Sequence, residues 1–321
     1  MSIMILWITS IAFLTSFLGI YFLFPNLEKI FIQEPNVRSS HNLPKPAGGG
    51  IPFVITISLL LFFLNNRLPL ICLPLSIIGF IDDKYYIDRS LRFIFQVFTS
   101  ALIIYEFQFL NNYLSFSSLN LTLFIFLLLA TILFMTSIIN FTNFMDGIDG
   151  LVTSCLIIIF SVGAIRIDST LFVIVGALIG FLFWNWHPSK IFMGDGGSTF
   201  LGALLAGTLI KENGYEALKL LIVSLPLLLD ACSCVMRRFC FNEAIFSPHS
   251  LHLFQRLYQA GWKHSKITLH YFISTLILGL IVITNNDYLL IPALIIILSY
   301  GIFLDTYVAV PFKYAIQKTR K

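Results

Sequence analysis

Long apolar runs, separated by short polar segments, extend along almost the whole chain. Each run is roughly 15 to 22 residues long, about the length that lets a helix cross a bilayer. The runs occupy residues 3–24, 50–64, 68–81, 91–106, 119–139, 148–165, 170–186, 197–210, 218–236, 268–284 and 288–308. This pattern predicts an all-α polytopic membrane protein with about eleven (ten or eleven) transmembrane helices in a single domain, residues 1–321.

Composition supports a membrane protein. Over 321 residues, 58% of side chains are hydrophobic and only 11% are charged, which is too little polar surface to cover a water-soluble globule. The five cysteines show no CxxC spacing and are expected to be reduced packing residues. Because the basic residues are scattered through short loops, the net charge of +4 favours membrane lipids and phosphate as partners and argues against nucleic acid.

The distribution of Lys and Arg predicts the orientation. Sixteen of the 20 cations fall in one set of alternate loops, and the other set holds only Arg67, Arg166, Lys211 and Lys219. Because the cytoplasmic side keeps the excess of basic residues, the C-terminus is expected in the cytoplasm and the N-terminus outside, in a bacterial inner membrane. Several polar residues then share the cytoplasmic face: Asp82, Asp83, Asp146, Asp149, Asp195, His249 and His252.

Adjacent carboxylates, Asp82 and Asp83, end the third apolar run. At that depth an uncompensated charge is costly, so a metal ion or a proton is the expected partner. The alternative is an ordinary pair of charges at a helix end, solvated by headgroup water.

A second polar segment, residues 140–151, contains Asn140, Asn143, Asp146 and Asp149. Oxygen ligands without thiol or imidazole suit a hard cation, and Mg²⁺ fits best, with Mn²⁺ as the alternative. Asp146 or Asp149 could equally cap the next helix, and both interpretations can hold together.

Three further segments are candidates for phosphate contacts. Asp195 is followed by small residues that open a helix, and Lys45 precedes a glycine run that either holds a lipid phosphate or forms a flexible turn. His249 and His252 could contact phosphate together with Arg256, although a histidine pair is more often structural. Zinc is not expected, because no further His or Cys has a ligand-like spacing in this loop.

Together these segments resemble the polyprenyl-phosphate N-acetylhexosamine-1-phosphate transferases. The markers occur in the family's order: residues 34–38 with His41, 46–50, 82–83, 140–151, 192–198 and residues 247–256, which carry His249 and His252 and which we call the histidine loop. The resemblance implies a UDP-N-acetyl sugar donor, undecaprenyl phosphate as acceptor, UMP as product and magnesium as cofactor, and it leaves a homodimer open. It further implies that Asp82 and Asp83 form the catalytic pair and that Asp195 and Asp146 bind metal. The substrate-binding residues that we predict are Lys45, Asn140, Asn143, Asp149, Asn185, Phe192, His249, His252 and Arg256.

Two departures bear on the substrate. The branch that acts on muramoyl-pentapeptide has three consecutive histidines in the late loop, whereas this chain has His249-Ser-Leu-His252, and Lys84 directly follows the acidic pair. The sequence therefore favours the branch that initiates O-antigen with N-acetylfucosamine, N-acetylquinovosamine or N-acetylglucosamine. The main alternative is a transporter or lipid flippase that uses the acids for ion coupling, which would be expected to place them near the bilayer midplane.

Overall fold

The computed structural model describes residues 3–34, 44–107, 121–212, 214–244, 247 and 249–319. Arg38 and His41, which belong to the first marker of the family resemblance, lie outside the described residues.

Helices make up most of the described chain. They are α1 Ile3–Ile30, α2 Gly50–Phe63, α3 Leu68–Tyr85, α4 Arg89–Glu106, α5 Leu121–Phe144, α6 Leu151–Arg166, α7 Phe172–Asn185, α8 Gly194–Lys211, α9 Gly214–Cys240, α10 Leu253–Gln259, α11 His264–Ile283, α12 Asp287–Phe303 and α13 Phe312–Thr319. A 3-10 turn, Ser169–Leu171, precedes α7, and a π-turn, Leu304–Val308, follows α12. Strands β1 (Ile32–Gln33) and β2 (Lys45–Pro46) pair antiparallel, with Ile32 opposite Pro46.

The helices confirm the predicted class, an all-α polytopic membrane protein. Each predicted apolar run coincides with one helix, namely α1 to α9, α11 and α12. By length and composition, 5 of the described helices can cross a membrane, and α2, α6 and α7 are shorter apolar helices. The exact number of crossings stays a prediction.

The outer surface of the bundle is apolar. Large side chains such as Trp7 on α1, Phe126 on α5 and Ile296 on α12 are at least 65% exposed. In water such a surface would drive aggregation, whereas in a bilayer it contacts acyl chains while the helices satisfy their own backbone groups. The protein is therefore a multi-pass membrane protein.

Helix α8 lies at the centre of the bundle. Every residue from Gly196 to Ile210 is buried, and α8 packs mainly against α3 and α5. Helix α3 crosses it without intervening side chains, because a Cβ on Gly79 would lie 2.5 Å from the Cα of Gly196. This close crossing brings the polar end of α3 to the first turn of α8.

Charged side chains gather at the two ends of the bundle. At the end opposite the acidic pair, four carboxylates each face a nearby cation: Arg67–Glu106, Arg166–Glu216, Lys211–Asp168 and Lys219–Asp287. The cations are the four that the loop count assigned to the outer side. The structure itself does not assign either end to a cellular compartment, so the orientation stays a prediction.

Candidate active site

Three of the predicted acids, Asp82, Asp83 and Asp195, meet at one end of the bundle, in a group that together with Arg92 we call the acidic centre. Nη1 of Arg92, in the first turn of α4, lies 2.6 Å from Asp82 Oδ2 and 2.9 Å from Asp195 Oδ2. Asn143, at the end of α5, donates from Nδ2 to Asp195 Oδ1 at 3.0 Å. One guanidinium thus bridges carboxylates that are far apart in sequence.

Asp83 is fixed by the crossing of α3 and α8. Its Oδ1 accepts a hydrogen bond from the backbone N–H of Asp195 at 2.9 Å. Its Oδ2 is buried and has no hydrogen-bond partner among the described residues. Gly194 has φ +77°, and a Cβ there would clash with this oxygen, so both the backbone conformation and the space require glycine.

Asp82 differs from its neighbour because both of its oxygens have partners. Oδ1 accepts from the backbone N–H of Ile87 at 2.6 Å, and Oδ2 contacts Arg92. Of the adjacent pair, Asp83 therefore presents the carboxylate oxygen that is available to a ligand.

Asp146 lies in the loop between α5 and α6, close to the acidic centre. Burial raises the pKa of Asp146 to about 7, and the negative charges of Asp195 and Asp149 add to the increase. A carboxyl group with this pKa is readily ionised by a nearby cation. The carboxylate oxygens of Asp195 and Asp146, beside the unpartnered Asp83 oxygen, are of the kind that suits a hard divalent cation. These three carboxylates are not gathered within 4.8 Å of one another, so ion binding would draw them together.

The two predicted amides of α5 have different partners. Asn143 donates to Asp195 and to Ser198, whereas Asn140 forms a reciprocal amide pair with Gln96 of α4, with distances of 2.7 and 3.0 Å. The structure therefore brings Asn143 into the acidic centre and places Asn140 beneath it, where it ties α5 to α4.

Asp149 lies in a separate polar cluster. Its Oδ2 is 2.8 Å from Nδ1 of His187 and 3.2 Å from Nδ1 of His264, and its Oδ1 accepts from the Ser189 hydroxyl at 2.8 Å. Lys45 donates to the same hydroxyl at 2.9 Å. The carboxylate is buried among these groups, so in this structure it organises the loop that follows α7.

Lys45 and Phe192 form one corner of the site. The ammonium of Lys45 lies 5.2 Å from the centre of the Phe192 ring, within the range of a cation–π contact. The Phe192 N–H donates to the Pro46 carbonyl at 2.9 Å, which joins the two segments. Buried Asn185 supports the corner, since its Oδ1 accepts from Gly150 and Thr153 and its Nδ2 donates to Ile191.

The histidine loop approaches the acidic centre from another side. The ring of His252 lies 6.0 Å from that of Phe144, the residue next to Asn143, and 4.9 Å from that of His249. Burial, with the nearby Arg238 and Arg256 charges, lowers the pKa of His252 to about 3, so this imidazole is neutral at ordinary pH.

Arg256 does not join the acidic centre. It is 2% exposed, and its guanidinium binds Asp305 and the carbonyls of Leu251 and Val310. Each nitrogen of the guanidinium therefore has a protein partner in this structure, and a contact of Arg256 with phosphate stays a prediction.

Comparison with known proteins identifies the family. A model of glycosyl transferase family 4 matches residues 68–213. A decaprenyl-phosphate N-acetylglucosaminephosphotransferase of Mycolicibacterium smegmatis is 30% identical over 288 residues, which cover 74% of this chain and 71% of that protein. The chain belongs to glycosyl transferase family 4.

Other relatives show a similar extent of similarity. A probable undecaprenyl-phosphate N-acetylglucosaminyl 1-phosphate transferase of Bacillus subtilis is 27% identical, covering 79% of this chain and 78% of its own length. A phospho-N-acetylmuramoyl-pentapeptide-transferase of Dictyoglomus thermophilum is 30% identical, covering 73% and 80%. The region matched by the family model includes Asp82, Asp83, Asp146 and Asp195, so the acidic centre lies within it.

Three residues of these polar clusters were not predicted from the sequence. Arg92 was counted only as a loop cation, and His187 and His264 were not singled out. Arg92 follows the acidic pair by a few residues at the start of a helix, and a lone cation there is a usable signal. His264 reaches Asp149 only through the packing of α11 beside α6, which no local pattern indicates.

Proposed function

We propose that this chain is a magnesium-dependent phosphoglycosyltransferase. It transfers an N-acetylhexosamine 1-phosphate from a UDP-sugar to undecaprenyl phosphate and releases UMP. The observation that carries the proposal is the convergence of Asp82 and Asp195 on the Arg92 guanidinium, with Asp83 bonded to the backbone N–H of Asp195 and retaining an unpartnered carboxylate oxygen. The family and the names of its relatives supply the class of reaction.

The acidic centre suits a reaction between two phosphates. Bound Mg²⁺, held by Asp195 and Asp146 next to Asp83, would neutralise the donor pyrophosphate and the leaving UMP. Arg92 keeps Asp82 and Asp195 in place and offsets part of their mutual repulsion. Asn143 orients Asp195 from the other side.

The acidic pair then supplies the proton acceptor. In direct displacement, Asp83 or Asp82 takes the proton of the lipid phosphate, whose oxygen attacks the β-phosphorus of the donor. The bond from that phosphorus to the UMP oxygen breaks, and the products are a lipid diphosphate sugar and UMP. The alternative is attack by the carboxylate itself to form a phospho-aspartyl intermediate. Release of UMP without lipid acceptor would distinguish the second route from the first.

The corner formed by Lys45 and Phe192 fits the donor nucleotide. An aromatic face can stack on a nucleobase, and a neighbouring ammonium can bind its carbonyl oxygen or a phosphate. Asp149 and Asn185 hold this corner in shape through Ser189 and Ile191. We assign the uracil to this corner and the diphosphate to the space between it and the acidic centre.

The donor sugar and the cellular role are narrower proposals. The relatives named as N-acetylglucosamine phosphotransferases and the spacing of His249 and His252 support an N-acetylhexosamine donor and a role in initiating O-antigen or another surface polysaccharide. The excess of Lys and Arg near the acidic centre supports a cytoplasmic site in the bacterial inner membrane. The transporter alternative has no support, since the family and the named relatives are transferases.

The test is transfer of label from UDP-sugars that carry ³²P at the β-phosphate to undecaprenyl phosphate. Purified protein in detergent would be offered UDP-N-acetylglucosamine, UDP-N-acetylfucosamine, UDP-N-acetylquinovosamine and UDP-N-acetylmuramoyl-pentapeptide, with Mg²⁺ or with EDTA. We expect Mg²⁺-dependent label in the lipid from one of the first three donors. Label from the muramoyl donor alone would overturn the branch assignment, and transfer in EDTA would overturn the metal assignment.

A further inference from the structure

The fold brings one cysteine to the histidine loop. Cys234 lies on α9 and is buried, while His249 and His252 lie in the loop that follows this helix. The sulfur of Cys234 and one ring nitrogen from each histidine lie within 4.8 Å of one another. Spacing along the sequence gave no reason to expect this group, because the cysteine comes from the preceding helix.

The surroundings of the three residues favour a bound ion over a solvated cluster. His252 is 3% exposed and Cys234 is 2% exposed, so little water reaches their ligand atoms. Asp230, one turn before Cys234 on α9, lies 3.9 Å from Nδ1 of His252. Its carboxylate is fixed by hydrogen bonds from the N–H groups of Leu253 and Phe254, which hold the end of the loop against α9.

The donor atoms differ in kind from those of the acidic centre. One sulfur and two imidazole nitrogens suit zinc and similar thiophilic ions and are poor ligands for magnesium. Zinc holds sulfur and nitrogen at about 2.3 and 2.0 Å, so ligands of one ion lie about 3.5 Å apart. The observed ligand atoms, all within 4.8 Å of one another, are close to that separation.

We propose that Cys234, His249 and His252 form a binding site for a thiophilic divalent ion such as Zn²⁺, separate from the magnesium site. An ion bound here occupies one ring nitrogen of each histidine. Since His249 and His252 are predicted substrate-binding residues, the ion withholds both imidazoles from the substrate. On the proposed transferase function, Zn²⁺ bound here inhibits turnover, and excess Mg²⁺ does not relieve the inhibition.

Co²⁺ added to the purified protein tests the site without using activity. A thiolate ligand gives Co²⁺ an intense near-ultraviolet charge-transfer band. We expect this band in the wild type, its loss in Cys234→Ser, and at least about tenfold weaker Co²⁺ affinity in His249→Gln. Cys232→Ser is the matched control, because Cys232 lies on the same helix and is not part of the group. Absence of the band in the wild type, or its loss in Cys232→Ser as well, would overturn the site.

A second experiment tests the effect on turnover. Wild type, Cys234→Ser and Cys232→Ser would be compared by thermal unfolding in detergent and then assayed with millimolar Mg²⁺ and rising Zn²⁺. We expect all three proteins to be folded at the assay temperature, with equal activity without Zn²⁺ and an inhibitory Zn²⁺ concentration at least about tenfold higher for Cys234→Ser alone. Equal inhibition of all three proteins would refute the regulatory role. If no protein shows transfer, the proposed function fails, while the Co²⁺ spectrum still decides whether the ion site exists.

Discussion

The two ends of the helical bundle differ in how many cations lie near their carboxylates. At the end opposite the acidic pair, Glu106, Asp168, Glu216 and Asp287 each have a nearby Lys or Arg. In the acidic centre, Asp82 and Asp195 share Arg92, and Asp83 forms no ion pair with any described residue, so three carboxylates have one cation.

This difference separates charges that are paired within the protein from charges that are available to a ligand. A carboxylate with its own cation is neutralised locally and needs nothing further. Three carboxylates beside a single cation repel each other, a cost that is typical of sites arranged for a ligand. A divalent cation would supply the missing positive charge, so the uneven pairing marks the end of the bundle that performs chemistry.

The largest expected effect is at Asp83. Asp83→Asn should lower transfer by at least about 10³-fold, because the change removes both the available oxygen and a negative charge needed at the transition state. The thermal unfolding midpoint in detergent should not fall, since the change also relieves repulsion from Asp195. The matched control is Asp168→Asn at the opposite end, which should keep full activity. Comparable loss in both variants would contradict the contrast between the two ends.

The crossing of α3 and α8 gives the next largest effect. Gly79→Ala places a methyl group against the backbone of Gly196, so the helices must separate. We expect destabilisation of about 1–3 kcal/mol and, because Asp83 and Asp195 move apart, a loss of transfer of about 100-fold. Gly301→Ala on α12 is the control, since a Cβ there meets nothing within 4 Å. If the two variants had similar unfolding midpoints and similar transfer activity, the close crossing of α3 and α8 would not be needed for either stability or transfer.

A smaller effect is expected at Arg92. Arg92→Gln removes the bridge between Asp82 and Asp195 but leaves the carboxylates that hold metal. Transfer should fall about tenfold, mainly because Asp195 is less well positioned. The Mg²⁺ titration of activity should change with it, and Arg89→Gln at the start of the same helix should leave that titration unaltered. An unchanged titration in Arg92→Gln would show that the guanidinium has no part in the site.

The smallest effect is expected at the opposite end. Glu216→Gln weakens the contacts with Arg166, which are partly exposed, so the free energy of unfolding should fall by about 1 kcal/mol or less. Transfer should be unchanged. The loss of stability should shrink at high salt, which screens the pair in the wild type. A clear loss of transfer would show that the two ends are coupled.

Much of the fold could be predicted from the sequence, because apolar length is a local property. Each predicted run lies on a helix, and α8, whose run begins at Gly197, extends back only to Gly194. Asp82, Asp83 and Asp195 were also singled out correctly as members of one group. Their roles in binding metal and in catalysis stay predictions.

The contacts that could not be predicted depend on tertiary packing. Arg92 reaches Asp195 only because Gly79 and Gly196 let α3, and with it α4, approach α8. Arg256 is of a residue type that commonly binds phosphate, but the π-turn after α12 brings Asp305 into contact with its guanidinium. Cys234 joins the histidines because α9 ends beside their loop. Such long-range contacts leave no periodic pattern in a single sequence.

The most direct test of the central claim is the Mg²⁺ dependence of β-³²P transfer by Asp195→Asn, measured beside wild type and Asp168→Asn. If the acidic centre holds the metal, Asp195→Asn loses transfer at every Mg²⁺ concentration while its unfolding midpoint stays near that of wild type, and Asp168→Asn titrates like wild type. Near-normal transfer by Asp195→Asn in excess Mg²⁺ would contradict the assignment of the metal to this end of the bundle.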